Sequence, residues 1–514
     1  MVLVWFFSTN LLVLVLVLML VLMLGLVHVS AGAHSMGSHE RLIGWKGETH
    51  RVVVPNPKVL KKDSTTHTRS PSSSPVWIAK DHHADESSNP SPCTSSPRAS
   101  SPRVSFISRS SHKLKYAHMA MIHALPGRER NNGTTVLIAA WQASSTREGE
   151  NDQHIRITTL SGDLIDDSHQ DLDSWSPSIA VPLPARGALW GPLFFTDDDD
   201  DPSVLHLFYS ESHGGCPGGP MRWAPGGSIM HTKTSLTPSF TLSELAWSKP
   251  NLVYALEADG GIPKVTANKP IAFTTDKSTT KRRWVLPFWR ERALLDNRNT
   301  HCKAHMRGKQ SAGVLISDDN GQSWTPHGVI TLPTTWLIEN AVASLGDDRL
   351  LMVFRSRAGH VYGARSDDAG ITWGGATPLR ASRADVSRGA PALIPNPNAK
   401  IDMIRINDML VLAFNDHQQP RDDKTIAAQG CVKCRTHLTV ATSTDMGNTW
   451  SRVASQAFEN ELGASLRLHY PTVIAHPTEA CTVLVAYSRF YVKSVVTADM
   501  LPTQGIKVAH VALG

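Results

Sequence analysis

The chain contains 514 residues, of which 41% are hydrophobic and 19% are charged. These proportions are typical of a globular protein and exclude a chain that is disordered throughout. The net charge of +6 arises from 51 basic and 45 acidic residues without a dense basic block, which argues against nucleic acid as a partner.

The N-terminus is dominated by an apolar run from Leu11 to Val27. Small residues follow it in Ser30-Ala31-Gly32-Ala33, which predicts cleavage by a signal peptidase after Ala33. The run of 17 residues has no Lys or Arg before it and approaches the length of a membrane span, so a retained type II anchor stays open. Residues 1–33 are therefore interpreted as a signal peptide or signal anchor. The protein is expected in the secretory pathway, in the Golgi lumen or outside the cell, with membrane contact only through this segment.

Residues 34–112 are rich in serine and proline, as in Ser70-Pro71-Ser72-Ser73-Ser74-Pro75. So few large apolar side chains bury too little surface to offset the entropy of ordering, which predicts a disordered stalk.

Six cysteines are too few for a disulfide scaffold, but an even number in a secreted chain allows some bridges.

From residue 113 to residue 514, short apolar runs alternate with turn residues. Examples are Val204 to Tyr209, Trp284 to Trp289, Leu350 to Arg355 and Thr482 to Ser488. No long segment of helical period interrupts them, so the region is predicted to be all-β. Roughly 400 residues of short strands are too many for one β-sandwich domain. A β-propeller, in contrast, grows by repetition of its blades and leaves only short strand edges exposed.

Three segments share the pattern S-x-D-x-G-x-[ST]-W. They are Ser317 to Trp324, Ser366 to Trp373 and Ser443 to Trp450. The pattern suits a hairpin turn, because the Asp accepts backbone hydrogen bonds, the Gly supplies a positive φ and the Trp packs on the sheet. Three copies at one spacing indicate a structural repeat, so Asp319, Asp368 and Asp445 are predicted to be structural.

These segments resemble the Asp-box, or bacterial neuraminidase repeat, of the sialidase superfamily. Further phrases are similar to the same family: Trp190-Gly191-Pro192, Asn268-Lys269-Pro270, Ile338-Glu339-Asn340, Phe354-Arg355-Ser356, Pro395-Asn396-Pro397-Asn398 and His469-Tyr470-Pro471. The resemblance covers about 380 residues, a span in keeping with a large propeller. It implies a six-bladed β-propeller of four-stranded sheets.

The resemblance also implies a site for an acidic sugar. Sialidases hold a carboxylate with arginines, use a Tyr activated by a Glu as nucleophile, and use a carboxylic acid as acid/base. Tyr470 and Glu339 match the tyrosine and glutamate, and Asp152 is the candidate acid/base, with Glu148 in the same loop as the alternative. Arg355 is the leading clamp candidate, followed by Arg489 and Arg290.

One departure concerns the first clamp arginine, which an Arg-Ile-Pro phrase supplies in sialidases. Here the corresponding region, Tyr116 to Leu125, holds His118 and His123. The leading function is therefore an exo-glycosidase that hydrolyses terminal acidic sugars as a monomer, with no metal or organic cofactor. Two alternatives stay open: a polysaccharide lyase acting on uronate-containing glycans through His, Tyr and Arg, and a non-catalytic propeller that binds glycans or proteins.

Overall fold

The computed structural model describes residues 102–125, 136–161, 175–212, 225–237, 240–276, 281–291, 310–417, 435–453, 458–459, 466–491 and 497–513. The predicted signal peptide or anchor, 1–33, lies outside these ranges, as does most of the predicted stalk. Within the described ranges, no helix has the length and apolar character needed to cross a membrane.

Six sheets, which we call blades 1 to 6, follow one another along the chain. Blade 1 comprises β2 Tyr116–Leu125, β3 Val136–Ser144, β4 His154–Ser161 and β5 Ile179–Ala180. Blade 2 comprises β6 Leu189–Asp197, β7 Asp201–Glu211, β8 Ser228–Ser235 and β9 Asn251–Tyr254. Blade 3 comprises β10 Lys264–Val265, β11 Ile271–Asp276, β12 Lys281–Arg290, β13 Ser311–Ser317 and β14 Thr325–Ile330.

The second half of the chain supplies the other three blades. Blade 4 comprises β15 Leu337–Gly346, β16 Arg349–Ser356, β17 Tyr362–Ser366 and β18 Thr377–Pro378. Blade 5 comprises β19 Arg380–Ala381, β20 Asp402–Ile406, β21 Met409–Asn415, β22 Leu438–Ser443 and β23 Thr449–Arg452, with a short α-helix at Arg383–Ser387. Blade 6 comprises β24 Leu466–Ala475, β25 Thr482–Tyr491, β26 Gly505–Ala512 and β1 Arg103–Arg109.

The blades form a closed ring, since each contacts the next and β24 of blade 6 contacts β2 of blade 1. Apolar side chains fill the spaces between neighbouring blades, as where Val353 and Phe414 pack between blades 4 and 5. The all-β, six-bladed propeller predicted from the sequence is therefore confirmed.

Strand β1 is the outer strand of blade 6, where it pairs antiparallel with β26 from Arg103↔His510 to Arg109↔Gly505. It lies inside the segment 34–112 that the sequence analysis placed in the stalk, so the propeller includes residues upstream of 113. The serine-rich composition hid a strand whose Val104, Phe106 and Ile107 are buried or half-buried. The first described strand thus completes the last blade and closes the ring.

The three Asp-boxes form the turns between β13 and β14, β17 and β18, and β22 and β23. In the second box, Thr372 N donates to Asp368 Oδ1 at 2.8 Å and Gly370 N donates to Ser366 Oγ at 2.9 Å. Gly370 has a φ of 92°, and Trp373 Nε1 donates to its carbonyl at 2.9 Å. No box residue lines the central cavity described below, so these aspartates are structural, as the pattern indicated.

We expect Asp368→Ala to lower the free energy of unfolding by about 1–2 kcal/mol, because it leaves turn amides and hydroxyls without their acceptor. Urea denaturation would measure the change. Asp367→Ala is the matched control, since Asp367 is the exposed neighbour in the same turn and should change stability by under about 0.5 kcal/mol. Equal losses for the two variants would contradict the structural role of the box aspartate.

Candidate functional site

A cavity of about 620 Å³ opens at the centre of the ring. Its wall includes residues of the inner strands β2, β6, β10, β15 and β24, together with residues at the ends of other strands. The charged and aromatic side chains among its lining are Lys115, Tyr116, His118, Arg147, Glu148, Trp190, Trp289, Glu291, Trp336, Glu339, Arg355, Arg435, Arg467, His469, Tyr470, Arg489, Phe490 and Tyr491. Such a combination of aromatic walls and convergent polar groups suits a sugar-sized ligand.

The same backbone feature places several of these side chains. The inner strands of blades 1, 2, 4 and 6 each carry a β-bulge, and the bulges contain Met119, Gly191, Glu339 and Tyr470, with φ values of 57°, 52°, 49° and 61°. A bulge re-aims side chains and often lies beside an active site. Non-glycine residues hold this left-handed conformation only where the surroundings impose it. The backbone is therefore strained at Glu339 and Tyr470.

Gly191 shows why one of these positions must be a glycine. A Cβ built there would lie 1.9 Å from the carbonyl oxygen of Thr266, and Thr266 Oγ1 donates to the Gly191 carbonyl at 3.0 Å. The Trp190-Gly191-Pro192 phrase is thus a close contact between blades 2 and 3.

Arg355, Glu339 and Tyr470 meet in the wall of the cavity. Arg355 Nη1 donates to Glu339 Oε1 at 2.7 Å and to the Tyr470 hydroxyl oxygen at 2.6 Å. Arg355 Nε also donates to Asn398 Oδ1 at 2.9 Å, which fixes the guanidinium. The structure therefore brings together three of the six residues that the sequence singled out, from blades 4 and 6.

Burial and charge set the protonation states of this triad. Burial raises the pKa of the Tyr470 hydroxyl, against the opposing effect of Arg355 and with a further increase from Glu339. Burial also acts to lower the pKa of Arg355, but Glu339 and Tyr470 outweigh it and hold that pKa above its ordinary value. The resting state at neutral pH is a protonated phenol beside a permanent cation, so Tyr470 needs a base in order to act as a nucleophile.

Arg435 is a second buried guanidinium in the cavity. Its Nη1 lies 3.1 Å from His469 Nδ1, and its Nη2 donates to the Asn398 carbonyl at 2.5 Å. Burial and the neighbouring charge of Arg355 lower the pKa of Arg435 to about 10, which still leaves it charged at neutral pH. Asn398 thus binds both guanidiniums, Arg355 through its side chain and Arg435 through its backbone.

Three buried polar atoms of this cluster have no hydrogen-bond partner among the described residues: Glu339 Oε2, Arg435 Nε and His469 Nε2. Buried polar groups are normally paired, and each unpaired one costs free energy. Their concentration around one cavity marks the place where a polar ligand would complete the hydrogen bonding.

His118 occupies the wall beside Tyr470, with 4.1 Å between the two ring centroids. Its Nδ1 lies 2.8 Å from Ser488 Oγ. Burial, Arg435 and Arg355 hold the pKa of His118 well below its ordinary range, so the imidazole is neutral. The other histidine of this strand, His123, does not line the cavity, because its Nε2 contacts Thr196 Oγ1 of blade 2 at 3.1 Å.

The carboxylate of the first blade that lines the cavity is Glu148, not Asp152. Asp152 Oδ2 instead accepts from Ser145 N at 2.9 Å and so stabilises the loop after β3. Burial raises the pKa of Glu148, against a hydrogen bond with Tyr116 and with a further increase from Glu339. Glu148 is therefore the carboxyl group of this loop that is suited to donate a proton.

The two remaining clamp candidates are held by other partners. Arg489 lines the cavity, but its Nε donates to Glu459 Oε2 at 3.0 Å. Arg290 lies outside the cavity lining, where it pairs with Asp259 Oδ2 at 2.5 Å and donates to Ser311 Oγ at 3.3 Å. Arg435 and Arg467 also line the cavity, and neither was singled out in the sequence.

Buried polar side chains also link residues of different blades. Asn268 Nδ2 donates to the carbonyls of Glu339 and Asn340, each at 3.1 Å. Lys400 Nζ donates to the Pro471 carbonyl and to Thr472 Oγ1. Two residues thus support the bulges that carry Glu339 and Tyr470. They are Asn268 of the Asn-Lys-Pro phrase and Lys400, which closely follows Pro395-Asn396-Pro397-Asn398.

The buried ammonium of Lys400 makes stability depend on pH. Burial lowers its pKa to about 8, against the attraction of Asp402, while an unfolded lysine retains its proton to about 10.5. Between these values the unfolded state binds more protons, so the free energy of unfolding is expected to rise with pH. Lys400→Met should flatten this rise in urea denaturation from pH 7.5 to 9.5, whereas exposed Lys113→Met should not. An unchanged slope in Lys400→Met would contradict the shift.

The described part of the chain contains no group of three or more His, Cys, Asp or Glu side chains arranged to hold a metal ion. The cavity is lined by arginines, carboxylates, tyrosines and neutral imidazoles. These are groups that bind an anionic, hydroxylated ligand and move protons.

The fold and the cavity define a class: a six-bladed propeller of the sialidase type, with a polar site on its axis. The model of the BNR repeat-like domain matches residues 134–482, so the chain belongs to the BNR repeat-like family. No curated protein matches the chain in sequence.

The chain is similar to several solved structures at low identity. A Trypanosoma rangeli sialidase in complex with the inhibitor DANA is 12% identical with a TM-score of 0.50, over 78% of this chain and 55% of that one. A Dyadobacter fermentans protein of unknown function is 13% identical with a TM-score of 0.48, over 81% and 99%. A Penicillium chrysogenum alpha-L-arabinanase complexed with arabinobiose is 12% identical with a TM-score of 0.45, over 81% and 99%. This chain spans about half the length of the trypanosomal sialidase.

Proposed function

We propose that the protein is an exo-acting glycoside hydrolase that removes terminal acidic sugars, sialic acid or a chemically similar sugar, from glycans. The observation that carries the proposal is the contact of Arg355 with both Glu339 and Tyr470 inside an arginine-lined cavity. The fold is shared with a Trypanosoma rangeli sialidase, which supports the class of enzyme, and the arginines of the cavity support an acidic ligand.

Arg355 and Arg435 bind the carboxylate of the sugar in this proposal. Both guanidiniums are buried, remain charged at neutral pH and are held by Asn398. A planar guanidinium can donate two parallel hydrogen bonds to a carboxylate, and low solvent access strengthens the attraction. The arginines therefore favour an acidic sugar over its neutral counterpart.

Tyr470, Glu339 and Glu148 carry the chemistry. Glu339 accepts the phenolic proton while the Tyr470 oxygen bonds to the anomeric carbon, and the glycosidic C–O bond breaks as Glu148 protonates the leaving oxygen. Glu148 then deprotonates a water molecule, which attacks the same carbon and breaks its bond to Tyr470. The Tyr470 oxygen regains its proton from Glu339. Two displacements at one carbon give a product with retained configuration.

The test is a panel of 4-methylumbelliferyl glycosides of N-acetylneuraminic acid, glucuronic acid, galacturonic acid and galactose. We expect fluorescence from at least one acidic sugar and none from galactose. Release from galactose alone would refute acidic specificity. Binding of acidic glycans by calorimetry without turnover of any would favour the non-catalytic alternative.

A uronate lyase is the second candidate, and the neutral His118, whose ring centroid lies 4.1 Å from that of Tyr470, favours it. A neutral imidazole can remove the proton next to an arginine-bound carboxylate, after which a double bond forms and the glycosidic oxygen leaves with a proton from Tyr470. Polyuronate degradation with growth of ultraviolet absorbance by an unsaturated product would identify elimination. Products without this absorbance would identify hydrolysis.

We further propose that the protein acts as a monomer in the secretory pathway, in the Golgi lumen or outside the cell, without a metal or organic cofactor. The disulfide-bonded state of Cys481 supports an oxidising compartment.

A further inference from the structure

We propose that His469 is a ligand-binding residue of the cavity, whose Nε2–H donates a hydrogen bond to an uncharged oxygen of the bound sugar, a hydroxyl or an amide carbonyl. The sequence did not single out His469, and the reaction steps proposed above do not use it. The inference rests on the proposed function only in taking an acidic sugar as the ligand.

The surroundings of His469 hold its ring in one place. His469 lines the cavity, its side chain is buried, and it pairs with Ser488 where the bulge of β24 begins. Its ring centroid lies 4.8 Å from those of Tyr470 and Phe490 and 4.9 Å from that of His118. These three neighbours line the cavity as well. The imidazole is therefore positioned by packing before any ligand arrives.

Arg435 determines which nitrogen of His469 carries the proton. Arg435 Nη1 lies 3.1 Å from His469 Nδ1. A guanidinium has only donors, so Nδ1 must be the acceptor in this contact. Burial and the charge of Arg435 hold the pKa of His469 well below its ordinary range, so the imidazole is neutral and has a single proton. That proton is on Nε2, which makes Nε2 a hydrogen-bond donor.

This donor has no acceptor among the described residues, although it is buried. An unpaired buried N–H costs free energy, which an acceptor on a ligand would recover. The two ring nitrogens point in different directions, so this acceptor is not the group that Arg435 binds. In the proposed function the arginines bind the carboxylate. The partner of His469 is then a second, uncharged oxygen, which a sugar acid has and a simple carboxylate lacks.

Calorimetry with N-acetylneuraminic acid, glucuronic acid and cyclohexanecarboxylate tests the inference. Cyclohexanecarboxylate keeps a six-membered ring and a carboxylate but has no other oxygen. In His469→Asn, the amide oxygen can replace Nδ1 as the acceptor for Arg435, whereas the Nε2–H is lost. We expect this variant to bind the sugar acids about tenfold more weakly than the wild type. Its affinity for cyclohexanecarboxylate should change by less than about twofold.

His123→Asn is the matched control, because His123 does not line the cavity, and it should bind all three compounds as the wild type does. Equal weakening for sugar acids and cyclohexanecarboxylate in His469→Asn, or weakening for neither, would overturn the inference. Sugar acids that bind while their glycosides are not hydrolysed would refute the proposed function alone. Hydrolysis together with unchanged affinity in His469→Asn would refute the inference alone, and a wild type that binds neither sugar acid would refute both.

Nuclear magnetic resonance of the wild type labelled with ¹⁵N-histidine gives a second measurement that needs no variant. We expect His469 to show the neutral Nε2–H tautomer, and its Nε2–H signal to shift when glucuronic acid or N-acetylneuraminic acid is added. An Nδ1–H tautomer, an imidazolium, or an Nε2–H signal unchanged at saturating sugar acid would overturn the inference.

Discussion

Tyr470→Phe is expected to lower kcat/KM on any acidic glycoside that the protein hydrolyses by at least about 1000-fold, since it removes the nucleophilic oxygen and leaves the ring in place. The arginines remain, so the dissociation constant for the released sugar should change by less than about tenfold. Initial rates and calorimetry measure the two quantities.

The matched control is Tyr362→Phe, which changes a half-buried tyrosine outside the cavity lining and should retain full activity. A Tyr470→Phe enzyme with more than about a tenth of the wild-type rate would rule out Tyr470 as the nucleophile. Loss of activity together with loss of sugar binding would point instead to a structural role.

Arg355→Met is expected to lower the free energy of unfolding by about 3–5 kcal/mol, because it leaves the Glu339 carboxylate buried without its cation. The side chains of this pair are 8% and 5% exposed. Activity should be lost as well, since the same guanidinium positions Tyr470. Urea denaturation with circular dichroism measures the first effect, and initial rates measure the second.

Two companion variants sharpen this result. Arg349→Met breaks a pair with Asp347 whose side chains are 39% and 83% exposed, and it should cost under about 1 kcal/mol. Arg355→Met combined with Glu339→Gln should recover part of the lost stability, because it removes the unpaired charge. A loss in Arg355→Met no larger than in Arg349→Met would contradict the buried pair.

The Asp-boxes were predictable because each is a local turn whose hydrogen bonds lie within a few residues. Tyr470 and Glu339 could also be predicted from the sequence, since each lies within a recognisable phrase at a bulge of an inner strand. Arg435 was not, because nothing near it in the sequence marks it, and it reaches the cavity only after the ring brings blades 4, 5 and 6 together. Its contacts with Asn398 and His469 join positions 37 and 34 residues away.

Two other differences have equally specific causes. Glu148 and Asp152 lie in one loop, and only the turn geometry, with Asp152 accepting from Ser145 N, decides which carboxylate faces the cavity. Strand β1 was hidden in serine-rich sequence because its pairing partner, β26, lies at the other end of the chain. Non-local pairing of this kind leaves little trace in local composition.

The most direct test of the account is covalent trapping with 2,3-difluorosialic acid, followed by mass spectrometry of the digested protein. We predict that the fluorosugar becomes attached to the peptide that contains Tyr470, and that Tyr470→Phe abolishes the adduct. An unmodified Tyr470 peptide under saturating reagent, or a sugar attached to another residue, would contradict the proposed sialidase mechanism.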